Sequence, residues 1–297
     1  MLIRHALQKL TPFIVEICQI AGTPGLSLAV LHENKEIYQF HFGYRDVAAK
    51  LPTDENTTYP IASLTKAFTS SIAGILVDEE RLEWTTRLRD IIPEYKRSDT
   101  AANITITDLL NHRTGLPSYD ALWLLSNNYL PLKRTEAIPI LNYVPAVRPL
   151  RTDFIYNNMA YEVIGQTIEK VTDSKYAAVL KSRILEPLGL NRTVYTDAPA
   201  DMENSAKAYA PLENGEPVEI PPAVQGEDAI IGPAGGIRSS VKDMLSIYKA
   251  FMEAANFEIE NKGQPDPKNP FKQMHQLWRG MLCIWLGKGS TACYFGT

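Results

Sequence analysis

The sequence predicts an α+β fold: an antiparallel sheet flanked by helices, with a mainly helical domain inserted. Three observations lead there. Two β-rich runs, residues 25–31 and 36–42, flank the polar turn His32-Glu33-Asn34-Lys35. Helical periodicity then dominates from residue 63 to residue 186. Last, the Gly-rich stretch "GPAGGIRSSVKDM" leads into a second long helix. Apolar residues every three or four positions mark a helix with one packed face, whereas short β-branched and aromatic runs between turns mark strands. This order implies a discontinuous sheet domain, residues 1–60 and 235–297, around a mainly helical domain, 61–234. The active site is expected between them.

Each element has its own signals. Residues 1–22 carry Leu7, Leu10, Ile14 and Ile17 at helical spacing, with a break or start expected at Thr11-Pro12. The helical segments that follow are 63–80, Thr107 to Asn111 after a threonine cap, 136–144, 158–172 and 174–186. Residues 197–228 are polar with some extended segments. Ser239 or Ser240 is expected to cap the next helix, with Asp243 in its first turn. Residues 258–273 read as a loop, and 281–286 with 291–295 as a small hairpin.

Composition narrows the function. A net charge of −4, with acidic residues scattered among the basic ones, gives no reason to expect nucleic acid or an anionic membrane as partner. The three cysteines, Cys18, Cys283 and Cys293, are odd in number and widely spaced, which suits free thiols in a reducing compartment. The five histidines are isolated, so no metal is expected, and no cofactor. The N-terminus lacks the unbroken apolar core of a signal peptide, and a cytoplasmic location is expected.

One stretch, "YPIASLTKAFTSSIAGILVDEERL", places Ser63 and Lys66 three residues apart at a helix start. Positions i and i+3 share a helix face, so the amine can reach the hydroxyl. A lysine serves as base only if burial or a neighbouring cation lowers its pKa. Lys66 heads an almost wholly apolar helix, which is the right environment. The bland alternative is the first turn of a buried helix. The spacing alone decides little, because Ser239/Lys242 and Ser246/Lys249 repeat it. Ser239 reads as a cap, and Ser246 lies in mid-helix where backbone N–H groups are already used.

A second element supplies a proton donor. Tyr156-Asn157-Asn158 is the only Tyr-x-Asn in the chain and sits at a loop-to-helix boundary. A phenol can donate to a leaving group, and Asn158 can bond both a substrate carbonyl and the lysine. The bland alternative makes Tyr156 core and Asn158 an N-cap. Ser126-Asn127-Asn128 looks like a polar turn.

At these residues the chain resembles the serine β-lactamase and penicillin-binding protein superfamily, more closely its class C β-lactamase-like branch of esterases and acyltransferases. "GTPGLSLAVLHENKEIYQFHFGYRD" resembles the opening hairpin, "ITITDLLNHRTGLP" the helix ending in His-x-x-Gly-Leu, and "ILEPLGLNRTVY" the Pro-Leu-Gly turn. "GPAGGIRSSVKDM" resembles the late Gly-Gly turn and helix. The resemblance covers roughly residues 20 to 252 and implies a β-lactamase/transpeptidase-like fold. It implies catalysis by Ser63, Lys66 and Tyr156, with Ser63 N–H and Asn158 binding substrate, and no metal or cofactor. His112 falls in a structural turn, and Ser27 lies on a strand without the second glycine of a nucleophile elbow.

The family's third motif, Lys- or His-x-Gly on a late strand, has no match. Lys288 precedes Gly289-Ser290, and His275 lacks the glycine. The end of the chain is expected to be shortened or altered. The favoured reading is a serine hydrolase or acyltransferase acting on a small-molecule ester, thioester or amide. The alternatives are a non-catalytic binding protein with a relic site, and an isomerase or cyclase using the Lys-Tyr pair. The loops 118–135 and 197–228 are expected to line the pocket, with Tyr119, Trp123 and Tyr129 favouring an apolar or aromatic acyl group.

Overall fold

The computed structural model describes residues 2–120, 130–195, 202–222 and 228–280. The expected terminal hairpin, Ser126-Asn127-Asn128, Trp123, Tyr129, Cys283, Cys293 and Lys288 lie outside the described residues. Among those that are described, no helix is long and apolar enough to cross a membrane.

Helix α1, Leu2–Ile20, opens the chain and runs through Pro12 without the break that its sequence suggests. Pro12 removes one backbone bond, to the carbonyl four residues earlier, but both Pro12 and Gln8 are exposed and water can serve that carbonyl. The buried face is also rotated from the expected one. Leu7, Thr11, Ile14 and Cys18 turn inward, Thr11 bonding Tyr38 at 2.5 Å, while Leu10 and Ile17 stay exposed.

Strands β1, Gly25–His32, and β2, Lys35–Asp46, form the expected antiparallel hairpin. Its two-residue loop has positive φ at both Glu33 (49°) and Asn34 (58°), the handedness that matches strand twist. The short β3, Leu51–Pro52, pairs with β2. A second sheet has the order β4-β8-β5, all antiparallel: β4 is Thr58–Pro60, β5 Val194–Tyr195 and β8 Ile237–Ser240. Strands β6, Tyr209–Pro211, and β7, Pro217–Glu219, form a separate ribbon.

The remaining helices are α2, Thr65–Asp78, α3, Leu88–Ile91, and α4, Ile106–Leu110. After them come α5, Ala137–Tyr143, α6, Asn158–Thr172, and α7, Tyr176–Leu180. The described residues close with α8, Gly232–Gly235, α9, Val241–Glu260, and α10, Met274–Gly280. Thr105 caps α4 in a capping box with Asp108, and Ser240, not Ser239, caps α9. Helix α9 runs three residues into the stretch read as loop. Strand β8 was not anticipated, since Ile237–Ser240 is too short to show alternation.

Helix α2 is the axis of the core. Phe68, Ile72 and Leu76 share one apolar cluster with Ile106 and Leu109 of α4 and with Val163, Ile164 and Ile168 of α6. Each such side chain contributes about 1.5–3 kcal/mol by leaving water. The helix is buried nearly all round, so its polar residues need partners. Thr65 Oγ1 accepts from Ile237 N–H, and Thr69 Oγ1 bonds the Pro233 carbonyl and Tyr176. Ser70 bonds Tyr161, and Ser71 bonds the Ala67 carbonyl.

Helix α6 lies against the α8 turn so closely that a Cβ on Gly165 would stand 2.2 Å from Pro233 Cγ. Gly165→Ala is therefore expected to push the turn aside and destabilise the protein by about 1–3 kcal/mol. Urea unfolding of the variant beside wild type measures it.

Candidate active site

Ser63 is presented by a sharp entry into α2. Strand β4 pairs with β8, Ile61 N–H bonds the Ile237 carbonyl at 3.0 Å, and a single 3₁₀ turn, Ala62–Leu64, follows. Ala62 sits there at φ 46°, a conformation that disfavours any residue with a Cβ by roughly 1–2 kcal/mol. The strain turns the half-buried Ser63 out at the N-terminal end of α2.

Lys66, one turn on, is fully buried. Its Nζ donates to three oxygens: Ser63 Oγ at 3.1 Å, Asn158 Oδ1 at 2.7 Å and the Ala234 carbonyl at 2.8 Å. Burial pushes its pKa down from 10.5 to about 7, while the Asp120 carboxylate pulls the other way. Near neutral pH a sizeable fraction is the free amine. That amine keeps two hydrogens and one lone pair. Asn158 Oδ1 and the Ala234 carbonyl can only accept, so they take the hydrogens. The lone pair is left for Ser63, the one partner of the three that has a proton to give.

Tyr156 Oη stands 2.7 Å from Ser63 Oγ. Burial raises its pKa, the bond to Ser63 partly offsets this, and Asp120 adds to the rise. The phenol is therefore the resting form and a proton donor. Its ring lies 4.6 Å from that of His112, which packs at a tilt against both Tyr156 and Tyr161. His112 Nδ1 accepts from Asn157 N–H at 3.0 Å, and burial, aided by Lys66, drives its pKa down to about 3. His112 makes no hydrogen bond to Ser63 and acts as a buttress.

The N-cap of α6 is Asn157, whose side chain accepts from Ala160 N–H. This corrects the reading of Asn158 as the cap. Asn158, one residue into the helix, is released to face Lys66. The structure thus brings Ser63, Lys66, Tyr156 and Asn158 together. It does not join the other Ser-x-x-Lys pairs: Ser239 bonds Thr193, Ser246 the Lys242 carbonyl, and Lys249 pairs with Glu253. Ser27 is tied to the Asp54 carbonyl, Tyr59 and His41 on the sheet, and His275 bonds Glu258 at 3.0 Å. Of the residues expected around the pocket, Tyr119 is exposed.

Three contributors were missed from sequence. The Ala234 carbonyl is backbone and leaves no side-chain signal. Tyr161, with its ring 5.3 Å from Lys66 Nζ, reads only as a core residue. Asp120 belongs to a loop with no periodicity.

No group of three or more His, Cys, Asp and Glu suited to a metal occurs among the described residues.

The sequence model of the beta-lactamase family matches residues 13–280. The chain belongs to the beta-lactamase family. Members of this family are serine hydrolases, and the fold of this beta-lactamase-family chain agrees. It superposes on the octameric penicillin-binding protein homologue from Pyrococcus abyssi with a TM-score of 0.75 at 30% identity, over 83% of this chain and 56% of that one. With FmtA from Staphylococcus aureus the TM-score is 0.67 at 21% identity, over 83% of this chain and 66% of that one, a likeness of fold alone. Among sequence relatives, the unguisins hydrolase UngD of Aspergillus violaceofuscus is 29% identical over 78% of this chain and 44% of its own length. Protein Flp of Staphylococcus aureus strain N315 is 27% identical over 97% of this chain and 54% of its own. The chain spans about half the length of these sequence relatives.

Lys66 is charged in the unfolded chain up to its ordinary pKa but loses its proton near pH 7 when folded. Stability should therefore rise with pH above 7 on its account. Wild type is expected to gain about 2–3 kcal/mol of stability relative to Lys66→Met between pH 7 and pH 9. Urea unfolding of both proteins at the two pH values checks the difference.

Proposed function

We propose that this chain is a serine hydrolase or acyltransferase that forms an acyl-enzyme on Ser63, acting on a small-molecule ester, thioester or amide. The observation that carries the reading is the geometry of Lys66, a buried amine whose lone pair has only the Ser63 hydroxyl to meet. In the first step Ser63 Oγ bonds to the substrate carbonyl carbon and its proton passes to Lys66. The Ser63 N–H, in the 3₁₀ turn that leads into α2, supports the oxyanion. The tetrahedral species then collapses, the bond to the leaving group breaks, and Tyr156 gives that group a proton. The proton held by Lys66 restores the phenol. Water or an acceptor alcohol or amine next attacks the ester carbon and passes its proton to Lys66; the bond to Ser63 Oγ then breaks, and Lys66 returns the proton to Ser63.

Two further facts support this reading over its alternatives. Tyr156 is neutral and within reach of Ser63, as a leaving-group donor must be. UngD, a relative along 78% of this chain, is named as a hydrolase of unguisins.

The test is intact mass after incubation with a fluorophosphonate, and separately with a p-nitrophenyl ester. One adduct on Ser63, absent from Ser63→Ala, is expected. Its rate of formation should climb with pH through about 7, as Lys66 loses its proton. Tyr156→Phe should lower ester turnover by about a hundredfold or more. Folded protein that gains no adduct would end the acyl-enzyme reading in favour of a proton-transfer enzyme or a binding protein.

A further inference from the structure

The loop that precedes the second half of the site closes a ring of hydrogen bonds around Asn158. Asn158 N–H donates to Ser118 Oγ at 3.1 Å. Ser118 Oγ–H donates in turn to Asp120 Oδ1, and the same oxygen accepts from Asn158 Nδ2 at 3.2 Å. A primary amide has two ends of equal size and opposite polarity, and only the oxygen end can accept from Lys66. With the nitrogen end tied to a carboxylate, which can only accept, the flipped amide is excluded.

We propose that Asp120 is a positioning residue of this site, holding the Asn158 amide with its carbonyl against Lys66 and setting its carboxylate charge behind that amide. The proposal rests on the Ser63–Lys66 reading and adds to it a residue that touches neither nucleophile nor base. The groups facing Lys66 are Ser63 beside it, Tyr156 and Asn158 at the start of α6, Tyr161 further along α6, and His112 after α4. All are neutral near pH 7. Among the described residues Asp120 is the charged group that acts on the amine, favouring its protonated form.

Two substitutions separate orientation from charge. Asp120→Asn keeps an oxygen for Ser118 and Asn158 but removes the charge, whereas Asp120→Ala removes both. The readouts are the Lys66 ¹³Cε titration in ¹³C-lysine-labelled protein, assigned by loss of the signal in Lys66→Arg, and the pH-dependent rate of fluorophosphonate labelling. Asp120→Asn is expected to lower the Lys66 midpoint by about half a pH unit or more, and to move the rising limb of labelling the same way. Asp120→Ala should slow labelling by about tenfold to a hundredfold, with partial rescue by Asp120→Glu. Unchanged midpoints, with labelling by both variants within about twofold of wild type, would overturn the proposal. Absence of an adduct on wild-type Ser63 would fail the acyl-enzyme reading alone, since the Lys66 midpoint still decides the role of Asp120. Should Asp120→Ala not fold, the isosteric Asp120→Asn decides.

Discussion

One buried amine holds the site together. Lys66 Nζ bonds oxygens from three parts of the chain, its own first turn, the start of α6 at 92 residues' separation and the α8 turn at 168. A lysine fully out of water is costly for the fold, and an ammonium with any of its hydrogens unmet would cost more. The three acceptors match its three hydrogens, so α2, α6 and the α8 turn must dock together before Lys66 can be buried at all. Assembly of the core and assembly of the site are the same event.

The second layer exists to place those acceptors. Thr69 on α2 bonds the Pro233 carbonyl, the residue before the one that faces Lys66, and Tyr176 holds the same hydroxyl from behind. Gly165 lets α6 approach Pro233 at backbone distance. Arg134 bridges Glu162 at 2.6 Å and Glu169 at 3.0 Å, both on α6, and Glu169 also takes Tyr176 N–H. This buried network ties α6 and α7 to the loop before α5. Such pairs add little net stability against an apolar core. Their effect is directional, fixing where α6 begins and so where Asn158 points. Strain is stored at Ala62, where the backbone turns from β4 into the helix that carries the serine.

How legible this was depends on whether a feature is local. Ser63 and Lys66 stand three apart on a helix, and Tyr156 and Asn158 two apart at a helix start, so spacing alone makes each pair a candidate. The apolar run from Ala67 to Val77 revealed that the lysine would be buried. The hairpin was equally readable, because its turn and alternation are contiguous. What escaped was set by tertiary contact. The cap of α6 falls on Asn157 because Asn158 is claimed by Lys66, a competition that the pair of adjacent asparagines does not reveal. Pro12 continues α1 because that part of the helix faces solvent, and solvent exposure is not written in a single helical segment. Strand β8 is four residues long, and only its partners β4 and β5 make it a strand.

Two nitrogen bases press on the Tyr156 ring, and physical chemistry chooses between them. His112 begins nearer to neutrality, and sequence-level habit would favour it as the base. Burial displaces both groups by a similar amount, the lysine from 10.5 to about 7 and the histidine from 6.5 to about 3. The same desolvation therefore brings the lysine to the value where a base is half free at neutral pH and still strong enough to take a proton. The histidine is carried below any useful range. His112 is further committed by its Nδ1, which is spent on Asn157 N–H. A dry pocket that must contain a working base selects a group whose ordinary pKa is too high, and Lys66 is that group here.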